Sequence, residues 1–396
     1  MNWPFEFSFL IFLIIAFLSC AIEIRSKSRL SLPFALGIIC IVGFGTELFP
    51  KEFIVQSKMK EIGIIAFNML VIHSGTMVDF KAIKEQRRSI IIAVTGVFIM
   101  SVVILCGVGA FIGKEFGAMS PGPLVGGGAA AAISSISMMR INPEIAVFPW
   151  LIFMVQCFFG IPIYFYLIKK ESILILNDYR KVHEKKAVTN MQSAVAYEGK
   201  IKLCDRIPAK YKTTAYYLGT IMIISVFNRW LNVSFLMQFG FNINITALIF
   251  GILLGTLGIL ERGPLIKSNT MGFLMLGLMA LMADTLAHTP VYVLSSLIIP
   301  LVIVSVVGVT VLIVVGTIMS KIYSFSPYRG IIITLNSMVG FPVNLQLVDE
   351  AANKLGKDNE EVQVIKGSLN PMLSAGSTVV VNIVSILLAS MVLFFV

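Results

Sequence analysis

Apolar positions in this chain come in runs of about twenty residues, the length a helix needs to cross ~30 Å of hydrocarbon. Runs at 5–22, 32–49, 61–78, 89–113, 145–168, 213–231, 243–260, 269–287, 291–318 and 367–395 predict ten membrane-spanning helices. Two further stretches, GPLVGGGAAAAISSISMMR at 122–140 and IIITLNSMVGFPVNLQLV at 331–348, are apolar but interrupted by Gly, Pro, Ser or Asn. Each precedes the last span of its half. The chain therefore divides into a first half at 1–168, a linker at 169–212 and a second half at 213–396.

Charge decides how the interrupted stretches sit. The loop KAIKEQRR at 81–88 and the linker at 169–212 are both rich in Lys and Arg, so the positive-inside bias places both in the cytoplasm. Three apolar segments lie between them, and two cytoplasmic ends require an even number of crossings. The Gly/Ala/Ser stretch, about 120–140, is thus expected to enter and leave on one side. The stretch at about 330–350 is assigned the same re-entrant path, mainly by symmetry. With both termini outside, 25 Lys and Arg face the cytoplasm and 6 face out (Lys51, Lys58, Lys60, Lys114, Arg140, Arg229). The expected fold is an all-α polytopic membrane protein of two inverted five-helix repeats, each with a re-entrant interrupted segment.

Composition agrees and narrows the function. Hydrophobic residues make up 57% of the 396, charged residues 13%, and the mean hydropathy is +0.91, far from a soluble domain. The formal charge of +10 resides in loops between apolar runs, which argues against nucleic acid as a partner. Cys20, Cys40, Cys106, Cys157 and Cys204 are scattered and form no C-x-x-C, so neither a disulfide framework nor a zinc site is expected. The first run lacks a basic leader and a small-residue cleavage site, and is read as a retained helix. Metalloprotease, nucleophile-elbow and phosphate-loop motifs are missing from the sequence. It does not read as an enzyme, and no cofactor is implied beyond a coupling ion.

Polar residues at membrane depth mark candidate sites. Ser134, Ser135 and Ser137 offer hydroxyls near the expected turn of the first interrupted stretch, while Gly126, Gly127 and Gly128 read mainly as close-packing positions. In the second stretch Asn336, Ser337, Asn344 and Gln346 flank the breakers Gly340 and Pro342. Carbonyl and amide oxygens freed there suit sodium, and exposed amide N–H groups suit a carboxylate. The last span carries Asn370, Ser374, Ser377, Thr378 and Asn382 on one helical face, lining a site or sealing helix contacts. Substrate candidates are Ser134, Ser135, Ser137, Asn336, Ser337, Gly340, Asn344, Asn370 and Ser374. Sodium candidates are Asn336, Asn382, Thr378 and Asp284, the last weighed against a simple interfacial role. His73 reads as a helix-contact residue.

These pieces together, with MGFLMLGLMALMADTLA at 271–287, SLPFALGI at 31–38, GPLVGGGAAAAISS at 122–135 and GFPVNLQLVDEAA at 340–352, resemble the bacterial sodium/glutamate symporter family. The resemblance implies external termini, a cytoplasmic central loop, a homodimer in the bacterial inner membrane, and sodium-coupled uptake of an acidic amino acid. The chain departs from the family at the first interrupted stretch, where Ser134-Ser135-Ile136-Ser137 replaces a Gly-Gly-His-Gly tip, and at Asn336-Ser337, near where the family has Gly-His. The expected function is a sodium-coupled symporter of a small carboxylate, glutamate or another amino acid. The alternatives are a proton-coupled organic-anion carrier of the same fold and a non-transporting membrane binding protein.

Overall fold

The computed structural model describes residues 3–26, 29–183, 203–239, 242–340 and 343–395. All regular structure among these residues is helical. The principal helices are α1 (Phe5–Arg25), α2 (Leu32–Gly45), α3 (Met59–Thr76), α4 (Arg87–Ile112), α5 (Pro121–Met138), α6 (Phe148–His183), α7 (Thr214–Ser234), α8 (Ile243–Thr256), α9 (Met271–Ala287), α10 (Ile298–Ile322), α11 (Pro327–Val339), α12 (Val343–Leu355) and α13 (Asn359–Ser390). Five helical segments, Phe5–Arg25, Arg87–Ile112, Pro143–Lys181, Val291–Ile322 and Asn359–Ser390, are long and apolar enough to cross a membrane. Large apolar side chains such as Phe17, Ile24, Phe111, Ile223 and Ile299 are exposed. That surface fits a membrane protein, whose apolar exterior meets lipid instead of water.

Helix starts follow sequence chemistry. Pro33 stands in the first turn of α2 and Pro327 in that of α11, where a missing N–H costs nothing. Ser326 caps α11 by accepting the Arg329 N–H, and Asp358 caps α13 by accepting the Glu361 N–H. α6 contains Pro162 and α13 contains Pro371; each proline withdraws the N–H that the carbonyl four residues earlier would otherwise receive.

The order of helices recurs. Leu32, Phe53, Phe80, Arg87 and Phe148 each open a helix, and Ile243, Pro264, Val291, Ile298 and Asn359, each about 211 residues further on, open helices as well. α3 packs against α8 and α9, and α2 against α9. Small residues allow these approaches: a methyl carbon at Gly75 would lie 2.6 Å from the Leu248 carbonyl oxygen and 2.8 Å from Gly251 Cα. A second group forms around α6, which packs against α5, α11 and α12, while α11 also packs on α4 and α10. α5 lies between α6 and the C-terminal part of α13.

Two backbone breaks stand out. Inside α5, Gly127 has φ 65° and ψ −151°, a conformation essentially confined to glycine. Gly340, following α11, has φ 68° and ψ 173°. The first interrupted stretch is therefore broken at Gly127, seven residues before Ser134, whereas the sequence placed its interruption near Ser134–Ser137. Backbone geometry is the reason: one of three adjacent glycines takes the left-handed φ, and the serines continue along the helix that follows. Phe341 and Pro342, expected as part of the second break, lie outside the described residues, as do residues 184–202 of the linker. The described residues at the start of the linker are helical, since α6 runs on to His183.

Candidate functional site

The polar residues picked from sequence separate into three places. The most enclosed centres on Asn336, in the last turn of α11. Its Oδ1 accepts from the Tyr164 hydroxyl at 3.0 Å and from Asn344 Nδ2 at 2.9 Å, while its Nδ2 donates to the Leu373 carbonyl at 2.8 Å. Asn344 Nδ2 also lies 3.3 Å from Ser377 Oγ, which donates to the same Leu373 carbonyl at 2.8 Å. Tyr164, Asn336, Asn344 and Ser377 are all buried. Four helices, α6, α11, α12 and α13, thereby meet at one amide. The break at Gly340 makes this possible, because it brings Asn344 of α12 back onto Asn336 of α11. Ser337, next in sequence, instead donates to the Thr334 carbonyl at 2.6 Å within its own helix.

The second place is a cavity of about 270 Å³ lined by Ser374 and Thr378 of α13, Pro371, Ala375, Met77, Asp79 and Glu85. Thr378 Oγ1 donates back to the Ser374 carbonyl at 2.8 Å. Ser374 adjoins Leu373, so cavity and amide cluster share one stretch of α13. One turn away, Asn370 Oδ1 is buried without a hydrogen-bond partner. Asn382 is half-buried in the wide turn Val380–Val384.

The third place is a cavity of about 380 Å³ whose lining includes Ser135, Arg140, Trp150, Lys60, Asp284 and Thr285. Ser135 Oγ donates to the Ala146 carbonyl at 2.7 Å. Ser134 is fully buried and its hydroxyl has no partner, and Ser137 is buried nearby on the same helix. Asp284 pairs with Lys60 at 2.8 Å. Asp284 therefore stands with the serines of α5 and apart from Asn336, Thr378 and Asn382, the other residues named as sodium candidates. The two cavities mark opposite ends of α3: Lys60 lies in its first turn and Met77 follows its last residue, a separation of about 26 Å at 1.5 Å per residue.

Charged clasps tie helices together at the start of α11 and just beyond the end of α3. Glu171 of α6, 2% exposed, accepts from Arg329 Nε at 2.9 Å and from the Ser326 hydroxyl, while Arg329 Nη2 donates to Ser368 Oγ at 3.1 Å. The start of α11 is thus tied to α6 and α13. Asp79 accepts from the Lys81 and Ala82 N–H groups and pairs with Arg262. Burial alone would raise the Asp79 carboxyl, but Arg262 and these N–H groups hold it below its ordinary value. Glu261 shows the same balance: burial works upward, and hydrogen bonds from Lys212, Lys267 and Tyr217 leave it lowered.

Tyr164, Lys60, Arg140 and the Glu171–Arg329 pair were not among the site residues expected from sequence. Tyr164 stands in the last turn or so of an apolar run, where a tyrosine ordinarily anchors the interface. Lys60 and Arg140 carried a signal as two of the six basic residues that the sequence assigned to the outer side. His73 accepts a hydrogen bond at Nδ1 from the Leu265 N–H at 3.4 Å, joining α3 to the short helix Pro264–Lys267. Among the described residues no group of three His, Cys, Asp or Glu is arranged to hold a metal ion. No known protein family's sequence model matches the chain, and no curated protein matches it in sequence.

Proposed function

We propose that this chain is a sodium-coupled secondary active transporter of a small carboxylate, glutamate or another amino acid. Its halves would be inverted repeats of five crossings, each with a re-entrant segment, assembled as a homodimer in the bacterial inner membrane with both termini outside. The observation that carries this reading is the pair of glycine-broken helices at corresponding places in the recurring helix order, at Gly127 and Gly340. Helices broken near the bilayer midplane expose backbone N–H and C=O groups, which can replace the water around an ion and a carboxylate.

The arrangement at the second break supports the same reading. Asn336, Asn344, Ser377 and the Leu373 carbonyl supply neutral oxygens, the ligand type suited to a hard monovalent cation. Ser374 and Thr378 face a cavity beside them, and Ser135 faces another at the opposite end of α3. Substrate would pass between these cavities past the amide cluster as the α6 group shifts relative to the α3 group. Purified protein in liposomes, offered amino acids and mono- and dicarboxylates with sodium outside, should accumulate at least one of them. Failure to take up any member would remove the transport reading.

A further inference from the structure

The cavity at the Lys60 end of α3 has chemistry that the amide cluster lacks. It places two cationic side chains and one carboxylate around a recess of about 380 Å³, within the usual range for small-ligand clefts, about 300–1,000 Å³. Asp284 engages Lys60 through Oδ2, while its Oδ1 is buried, accepts no hydrogen bond and stands 3.9 Å from His288 Nδ1. Arg140 is exposed at the rim. Trp150 and Phe67 supply apolar wall. An anion can be received by Arg140 and by Lys60, and the open acceptor on Asp284 calls for a donor. One small molecule meets both requirements if it carries a carboxylate next to an ammonium or hydroxyl group.

We infer that this cavity is a second ligand site, a capture station that holds such carboxylates before they reach the amide cluster. The inference rests on the transport reading. Ser135 lies eight residues beyond the Gly127 break, about 12 Å along the helix, so a ligand held here is still about two helix turns short of it. A capture station raises the local substrate concentration without changing the later steps. Its loss is therefore read in KM and not in kcat.

The test is sodium-driven uptake into liposomes with three matched substrates: an amino acid, its hydroxy acid and the unsubstituted carboxylate. Arg140→Gln should raise KM about tenfold for all three with kcat unchanged, and should weaken the rise of KM with added salt. Asp284→Asn should erase the preference for the amino and hydroxy compounds over the plain one. Because Asp284→Asn also removes the charge paired with Lys60, Arg140→Gln, at an exposed position, carries the decision. An unchanged KM and salt dependence in Arg140→Gln overturns the capture station while leaving transport standing. No uptake by wild-type protein overturns the transport reading itself, and the station with it.

Discussion

Replacing Asn336 with alanine removes one acceptor and one donor from the buried cluster, yet the structure shows that its partners are not equally stranded. Asn344 Nδ2 keeps Ser377 Oγ at 3.3 Å, and the Leu373 carbonyl keeps the Ser377 hydroxyl at 2.8 Å. Only the Tyr164 hydroxyl is left with none of the partners described for it. An orphaned buried donor costs about 1–3 kcal/mol, and the small cavity left by the side chain adds about 1 kcal/mol. Asn336→Ala should therefore destabilise by about 2–4 kcal/mol. Tyr164→Phe should cost less, about 0.5–1.5 kcal/mol, because Asn336 Oδ1 still accepts from Asn344. In the double variant no hydroxyl remains to be orphaned, so its stability should match Asn336→Ala or exceed it slightly. Unfolding of the purified protein in detergent, followed by tryptophan fluorescence against denaturant, measures all three. Additive losses in the double variant would refute the claim that Tyr164 and Asn336 are coupled.

Other consequences follow from the same geometry. Gly127→Ala and Gly340→Ala place a side chain on backbone that only glycine adopts freely, although ordinary space surrounds each position; each should cost about 1–3 kcal/mol and depress uptake, whereas Gly272→Ala, with open space around it, should do neither. Arg329→Gln leaves Glu171 buried without its counter-charge and should destabilise by about 3–5 kcal/mol in a melting series. Glu261 is held below its ordinary value of 4.5 in the folded protein, so its stabilising contribution is present above that value and is lost as pH falls through the lower, folded one. Glu261→Gln should therefore flatten the acid limb of stability as pH falls below the ordinary value of 4.5, and an unaltered limb would contradict the Lys212–Glu261–Lys267 assignment.

The helical, membrane-type character of the chain was legible because lipid demands long apolar runs with internally satisfied backbone, and such runs leave a direct mark in sequence. Interrupted stretches were also visible, since Gly, Ser and Asn at 122–140 and 331–348 contradict an ordinary span. Which glycine turns was not. Gly126, Gly127 and Gly128 are chemically identical, and their neighbours choose among them: a methyl carbon at Gly128 would stand 2.6 Å from Leu278 Cδ2, whereas one at Gly127 would meet nothing nearer than 3.4 Å. Gly127 is thus free for the break that space alone would not have required glycine to make. The polar face of α13 could be read from its period, because Asn370, Ser374, Ser377 and Thr378 repeat at helical spacing. The bond from Tyr164 to Asn336 could not, because the two are 172 residues apart and only the packing of α6 against α11 brings them together. Likewise nothing local links Asp284 to Lys60, whose contact depends on the close packing of α3 and α9.

The central claim is that a sodium gradient drives a carboxylate through this protein. The most direct measurement is accumulation of labelled amino acid inside sealed liposomes that start with equal substrate on both sides and sodium only outside. Coupled transport predicts that internal substrate rises above external, and that a sodium ionophore returns it to equality. Internal substrate that never exceeds external, with or without the ionophore, would contradict it.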